Sequence, residues 1–218
     1  MNDPVEISVI SPVFQAEKII SDLINRLEDV LKQTEKTYEI ILIDDGSSDG
    51  GWKQIMHHVK RDHRIKGIKL SRNFGQHAAV SAGVHASCGQ IIAILDCDLQ
   101  DDPQDLPKLL EAHENGYDVV FTKRISRQHS TFKNLTASLY NRIFRLISNK
   151  NFDVNQGSFV LFNRKVANEF NRLKDSDRLY IQLIKWTGFK STYVQVHHHK
   201  RQEGRSSYTL SKLFRIAI

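Results

Sequence analysis

A chain of 218 residues, 40% of them hydrophobic, can bury a substantial core within one domain, and its net charge of +6 raises the question of an anionic partner. The charge is uneven: residues 122–150 hold seven Lys or Arg and no Asp or Glu, and beyond residue 197 Lys200, Arg201, Arg205, Lys212 and Arg215 face Glu203 alone. The two cysteines, Cys88 and Cys97, make neither a disulfide framework nor a CxxC pair, and no apolar run approaches the ~20 residues of a membrane span, which argues against disulfide scaffolds, zinc ribbons and membrane-spanning bundles and suits a reducing, cytosolic setting without a signal peptide.

In chain order, short β-rich runs that end in polar residues alternate with stretches of helical period. A strand is predicted at 7–12, followed by a helix through Ile19, Ile20, Leu23, Leu27, Val30 and Leu31, and a strand at 38–44 that runs into Asp45-Gly46-Ser47. A helix at 52–59, a strand at 65–70, a helix rich in small residues at 76–86 and a strand at 90–96 continue the alternation. A helix at 105–115 and a strand at 118–121 precede a less regular part, where Leu135, Leu139, Ile143, Phe144, Leu146 and Ile147 share one side of a basic amphipathic helix with Asn141, Arg142 and Arg145 opposite. A strand at 158–162, a helix at 179–186 and a strand at 193–196 lead to the basic tail. The Trp186-Thr187-Gly188 corner reads as packing. This order predicts an α/β fold with a mainly parallel central sheet flanked by helices, in one domain.

Ligands of open α/β sheets bind beyond the carboxyl ends of the strands, and there this chain is acidic. Asp44 and Asp45 follow the second strand; Asp96, Asp98, Asp101 and Asp102 follow the fourth. Carboxylates gathered at one edge repel one another unless a cation compensates, and hard oxygen ligands favour Mg²⁺ or Mn²⁺, which would bridge a diphosphate. A bare Asp-x-Asp is common in solvated turns; here it directly follows an apolar strand and is extended by Gln100, Asp101, Asp102 and Pro103. The glycines at 46, 50 and 51 fit neither GxGxxG nor a Walker loop, which weakens a dinucleotide or ATPase reading.

The segments PVFQAE, IDDGSSDG, LSRNFGQHAAVSAG, DCDLQDDP, GSFVLFNRKV and RQEGRSSYTLSKL, in this order, resemble the family 2 glycosyltransferases of GT-A fold, and more narrowly the polyprenyl-phosphate glycosyltransferases related to dolichol-phosphate mannose synthase. The resemblance implies that Pro12, Glu17 and Asp44 line the nucleotide pocket of a UDP- or GDP-sugar, with Arg72 and Asn73 nearby. It implies that Asp96 and Asp98 hold the diphosphate through Mg²⁺ or Mn²⁺, with Gln100 as a further ligand. It places Arg124 at the opening of an acceptor loop at 122–150, Lys133 within that loop, and Arg201 and Ser206 of the 197–218 tail on phosphate groups, with Asp98, Arg124 and Arg201 central to catalysis.

The acceptor so implied is polyprenyl phosphate. Its second pKa near ~6 leaves it ionised at neutral pH, so basic residues that gather two anions are needed more than a strong base. The amphipathic helix would meet the membrane surface on its cytoplasmic side, and the apolar end at 214–218 suits a chain that continues into membrane helices. The family pattern also admits a homo-oligomer. The chain departs from that pattern at Gln15-Ala16, where many relatives carry Asn-Glu, and at Ser158 and Val160, where many carry Asp and Arg, which leaves the donor sugar open.

His197-His198-His199 would alternate faces on a strand, so they read as exposed or packing residues, and Cys97 reads as a space-filler between two ligands. Extension of a polysaccharide or glycan is the enzymatic alternative; it would need a carboxylate base. A basic nucleic-acid-binding module is the alternative of another class. It is disfavoured because Tyr140 and Phe144 fall on the apolar helical face instead of interleaving with the basic residues.

Overall fold

The computed structural model describes residues 4–124, 156–173 and 180–197. Seven strands form one sheet: β1 (Ile7–Val13), β2 (Tyr38–Asp44), β3 (Ile65–Lys69), β4 (Ile91–Ile94), β5 (Val119–Arg124), β6 (Gln156–Asn163) and β7 (Ser191–Val196), in the spatial order β3-β2-β1-β4-β6-β5-β7. The helices are α1 (Ile20–Lys32), α2 (Gly51–Arg61), α3 (Gln76–Ala86), α4 (Leu106–Glu114), α5 (Arg164–Arg172) and α6 (Tyr180–Trp186). β6 is antiparallel to both β4 and β5, and every other pair in the sheet is parallel.

β1 and β2 are buried along their whole length, which is why they read as near-continuous apolar runs instead of alternating ones. One face takes Val9, Ile40, Leu42, Ala93 and Leu95 against Leu23, Leu27 and Leu31 of α1 and Leu106 and Leu109 of α4. The other takes Ile10, Ile41, Ile43, Phe121 and Phe162 against Ala79 and Val80 of α3, Phe170 of α5 and Leu183 of α6. Each of the Val, Leu, Ile and Phe side chains contributes about 1.5–3 kcal/mol by leaving water. The small residues of α3 let it lie close over Ile10 and Ile43.

The chain runs outward from β1 to β3 and returns through α3 to β4 on the other side of β1. The direction of winding therefore reverses between β1 and β4, and a crevice opens at their carboxyl ends.

The predicted elements recur with shifted bounds. β5 runs on to Arg124, since Thr122 stays in the sheet with its hydroxyl donating to the Phe159 carbonyl (2.7 Å). The helix expected at 105–115 begins as a 3-10 turn, Pro103–Asp105, because Asp102 accepts from the Gln104 N–H and proline fixes the first position. Helix α5 was not anticipated; Asn163 caps it by accepting from the Val166 N–H (3.1 Å). Trp186 is 67% exposed, contrary to the packing expected of it, and is the last residue of α6, beyond buried Tyr180, Leu183 and Ile184. The basic amphipathic helix and the 197–218 tail lie outside the described residues, apart from exposed His197.

Candidate active site

Two loops meet at the carboxyl ends of β1 and β2. After buried Pro12, paired with Ile43, the chain turns through Gln15 with φ 52°. Gln15 donates from its backbone to Ser47 Oγ (3.1 Å) and from its side chain to Ser48 Oγ (2.8 Å). The Glu17 N–H donates to Asp49 Oδ2 (2.9 Å), and Glu17 Oε2 accepts from the Gly50 N–H (3.0 Å). Asp44, fully buried, accepts from the Ser47 N–H on Oδ1 (3.1 Å), and its buried Oδ2 has no hydrogen-bond partner among the described residues. A buried acceptor left open at a strand end is suited to a ligand donor.

The loop after β3 closes over this pair. Gly46 has φ +69°, and a Cβ there would lie 2.5 Å from the carbonyl carbon of Arg72, so only glycine allows the backbone of 72–73 to approach. Arg72 and Asn73 are both exposed, and the Arg72 guanidinium stacks 4.4 Å from the Phe74 ring centre.

The end of β4 carries the denser charge. Asp96 and Asp98 are half-buried, and Leu99 takes the left-handed region with φ 55°, a strained choice for a leucine. Its side chain, 2% exposed in the core, holds that turn, and Asp98 Oδ1 accepts from the Gln100 N–H within it (3.1 Å). Buried Asp101 accepts on Oδ2 from the Ser158 hydroxyl of β6 (2.6 Å), whose carbonyl accepts from Tyr180 Oη (2.9 Å). Asp96 Oδ1 accepts from Gln76 Nε2.

Loss of water pushes the Asp96 carboxyl up to about 7, and the charges of Asp98 and Asp101 push the same way; Ser158 and Arg124 pull it down by less. Cys97, between Asp96 and Asp98, is pushed up to about 12 by burial and by those two carboxylates, so its thiol stays neutral, as a space-filler's should. Arg124 ends β5 half-buried, and its buried Nε has no hydrogen-bond partner among the described residues.

Carboxylate oxygens crowded until one carboxyl resists ionisation are a donor set that fits a hard dication. Among the described residues no group of three or more His, Cys, Asp or Glu side chains closes around a metal position. An open set of two carboxylates suits Mg²⁺-type ions, which keep several oxygens from water or substrate phosphates.

The family model described as glycosyl transferase family 2 matches residues 8–170. The chain belongs to that family. An uncharacterised glycosyltransferase of Bacillus subtilis, YkcC, is 33% identical, covering all of this chain and 68% of its own length. Undecaprenyl-phosphate 4-deoxy-4-formamido-L-arabinose transferase of Yersinia pestis is 31% identical over 99% of this chain and 67% of its own length. Among solved structures, glucosyl-3-phosphoglycerate synthase of Mycobacterium tuberculosis, in complex with Mn²⁺, UDP and phosphoglyceric acid, shares the fold at TM-score 0.69 and 15% identity, over 98% of this chain and 75% of that one. This GT-A-like fold and the family together make the chain a glycosyltransferase.

On this family 2 glycosyltransferase the residues expected at the site fall in three groups. Pro12, Glu17, Asp44, Arg72 and Asn73 collect around the ends of β1 to β3, and Asp96, Asp98, Gln100 and Arg124 around those of β4 and β5. Lys133, Arg201 and Ser206 lie outside the described residues. Of the two departures from the family pattern, Ser158 is joined to the acidic cluster through Asp101, whereas Val160 is buried in the core against α3 and α5. Sequence reasoning placed Asp45 and Asp101 at the acidic ligand edge without a specific role and did not single out Gln76. Asp45 and Asp101 stood in the acidic runs, but nothing in the sequence separated them from solvated neighbours, and Gln76 looked like an ordinary first residue of a helix.

Proposed function

We propose that this glycosyltransferase moves a sugar from a UDP- or GDP-sugar to polyprenyl phosphate at the cytoplasmic face of a membrane, with Asp96, Asp98 and Gln100 holding Mg²⁺ or Mn²⁺. The observation that carries the reading is the clustering of Asp96, raised to about 7, with Asp98 and Asp101, and with Arg124, whose buried Nε has no hydrogen-bond partner among the described residues, close enough to oppose the shift. One side of the crevice asks for a cation and the other for an anion. The Yersinia pestis relative, named for an undecaprenyl-phosphate acceptor, supports the lipid phosphate, and the Mycobacterium tuberculosis structure, titled with Mn²⁺ and UDP, supports the metal and the donor. Among the described residues no helix is long and apolar enough to cross a membrane.

In this reading buried Asp44 receives a donor group of the nucleotide on its open Oδ2, and Pro12 and Glu17 shape the wall beside it. Asp96 and Asp98 orient the diphosphate, and a bound divalent ion would supply charge stabilisation of the departing nucleoside diphosphate. Arg124, with Lys133, Arg201 and Ser206, draws the acceptor phosphate to the opposite face of the sugar. The phosphate oxygen forms a bond to the anomeric carbon as the bond to the diphosphate breaks, which inverts the centre. The acceptor is already ionised, so no residue of the chain needs to remove a proton.

The test is to incubate the full-length protein and its Asp98→Ala variant with Mg²⁺ or Mn²⁺, labelled UDP- and GDP-sugars, and either polyprenyl phosphate or glycan acceptors. Metal-dependent glycolipid from the wild type, lowered at least about a hundredfold in the variant, is expected. Product on glycans alone, or none with any donor, would sink the lipid reading. Unchanged activity of the variant would remove Asp98 from the site.

A further inference from the structure

We infer that Asp45 and Gln76 are positioning residues that set Asp96 to receive a divalent cation and the donor diphosphate; the inference rests on the reading proposed above. Asp45, 3% exposed just beyond β2, accepts from two successive backbone donors, the Phe74 N–H on Oδ1 (2.8 Å) and the Gly75 N–H on Oδ2 (2.9 Å). Its own N–H donates to the Val13 carbonyl (2.9 Å), which ties the clamp to the end of β1. Gly75, at φ 98°, turns the clamped loop directly into α3, and its carbonyl accepts from the Ala78 and Ala79 N–H groups (3.1 and 3.2 Å).

Gln76 is therefore delivered at the first position of a helix held from both sides of that position. Ahead of it stands the Asp45 clamp. Behind it, Ala79, Val80, Gly83 and Val84 are buried, and His77 Nδ1 accepts from the Tyr180 N–H (3.3 Å). From this fixed point Gln76 Nε2 reaches Asp96 Oδ1 on the far side of β1. A contact from the end of β2 is thus passed through one loop and one helix start to the end of β4.

The choice of an amide matters chemically. A lysine or arginine at position 76 would neutralise the Asp96 carboxylate and compete with a dication for it. Glutamine is a neutral donor: it orients the carboxylate and leaves its charge for the metal.

The test measures affinity of the purified full-length protein for UDP and for GDP by calorimetry, with and without Mn²⁺, beside thermal melts. Gln76→Leu is expected to weaken nucleotide binding about tenfold with Mn²⁺ and by less than about twofold without it. Gln76→Lys is expected to shrink the gain that Mn²⁺ gives. Asp45→Asn, which keeps the shape but replaces one acceptor with a donor, is expected to act in the same direction as Gln76→Leu by a smaller factor, and provides the reading should Gln76→Leu fail to fold. Equal losses with and without metal would mean a merely structural role, and unchanged Mn²⁺-dependent affinity would overturn the inference while leaving the proposed function standing. A wild-type protein whose affinity ignores Mn²⁺ would overturn the metal reading and this inference with it.

Discussion

Each end of the sheet takes a carboxylate at least partly out of water, fully for Glu39 and partly for Asp96, and the two ends treat it in opposite ways. At the amino ends, Glu39 of β2 is 1% exposed; it accepts from Ser8 Oγ (2.6 Å) and the Cys88 N–H (2.7 Å), and Lys66 Nζ lies 2.5 Å from its other oxygen. Burial pushes Glu39 up, but the Cys88 N–H, Lys66 and Ser8 together outweigh it, so the carboxyl sits below its ordinary value. At the carboxyl ends Asp96 has Gln76 and two neighbouring carboxylates, and it rises to about 7. The same chemical group is a structural tie at one end and an unmet demand for positive charge at the other. Donors supplied by the fold make the difference, since burial opposes ionisation in both places.

The contrast can be broken most sharply at Asp96. Asp96→Asn removes a charge that the metal-free fold opposes, so it is expected to raise the melting temperature in the presence of a chelator while lowering sugar transfer at least about a hundredfold. A variant that melts lower without metal would show Asp96 to be a tie like Glu39. Glu39→Gln should cost about 1.5–3 kcal/mol in urea unfolding at pH 7, because it removes charge-assisted bonds from a buried acceptor.

The pH dependence of that loss follows from the sign of the shift. The folded value lies below the ordinary 4.5, so the stabilisation is full above pH 4.5 and fades as pH falls through the folded value. The wild-type and Glu39→Gln stability curves should therefore converge in acid; a constant offset down to pH 3 would contradict the assignment. Lys66→Met should cost least, under about 1 kcal/mol, because the lysine is 46% exposed and water already screens its pairing with Glu39. A loss as large as that of Glu39→Gln would make Lys66 the main tie.

How much of this was legible in the sequence depends on the range of the interaction. The β-rich runs and the Asp-x-Asp block at the end of an apolar strand are local, and they placed β1 to β4 with α1 to α3 within a few residues. Helix α5 escaped notice because it is only 9 residues long and its start follows β6 without a loop. Ser158 was recognised as a departure from the family pattern, but that it bonds to Asp101 depends on β6 entering the sheet antiparallel beside β4.

The sequence by itself determined the alternating α/β order, the acidic strand ends and the kinship with family 2 glycosyltransferases, because each rests on neighbouring residues and their period. The fold alone decided which carboxylates are satisfied. Asp45 receives two backbone donors from thirty residues away, Glu39 receives one from Cys88, and Asp96 is left between Asp98 and Asp101 with a glutamine. A carboxylate's chemistry is set by burial and by the donors and charges around it, and those come from segments that only the folded sheet brings together.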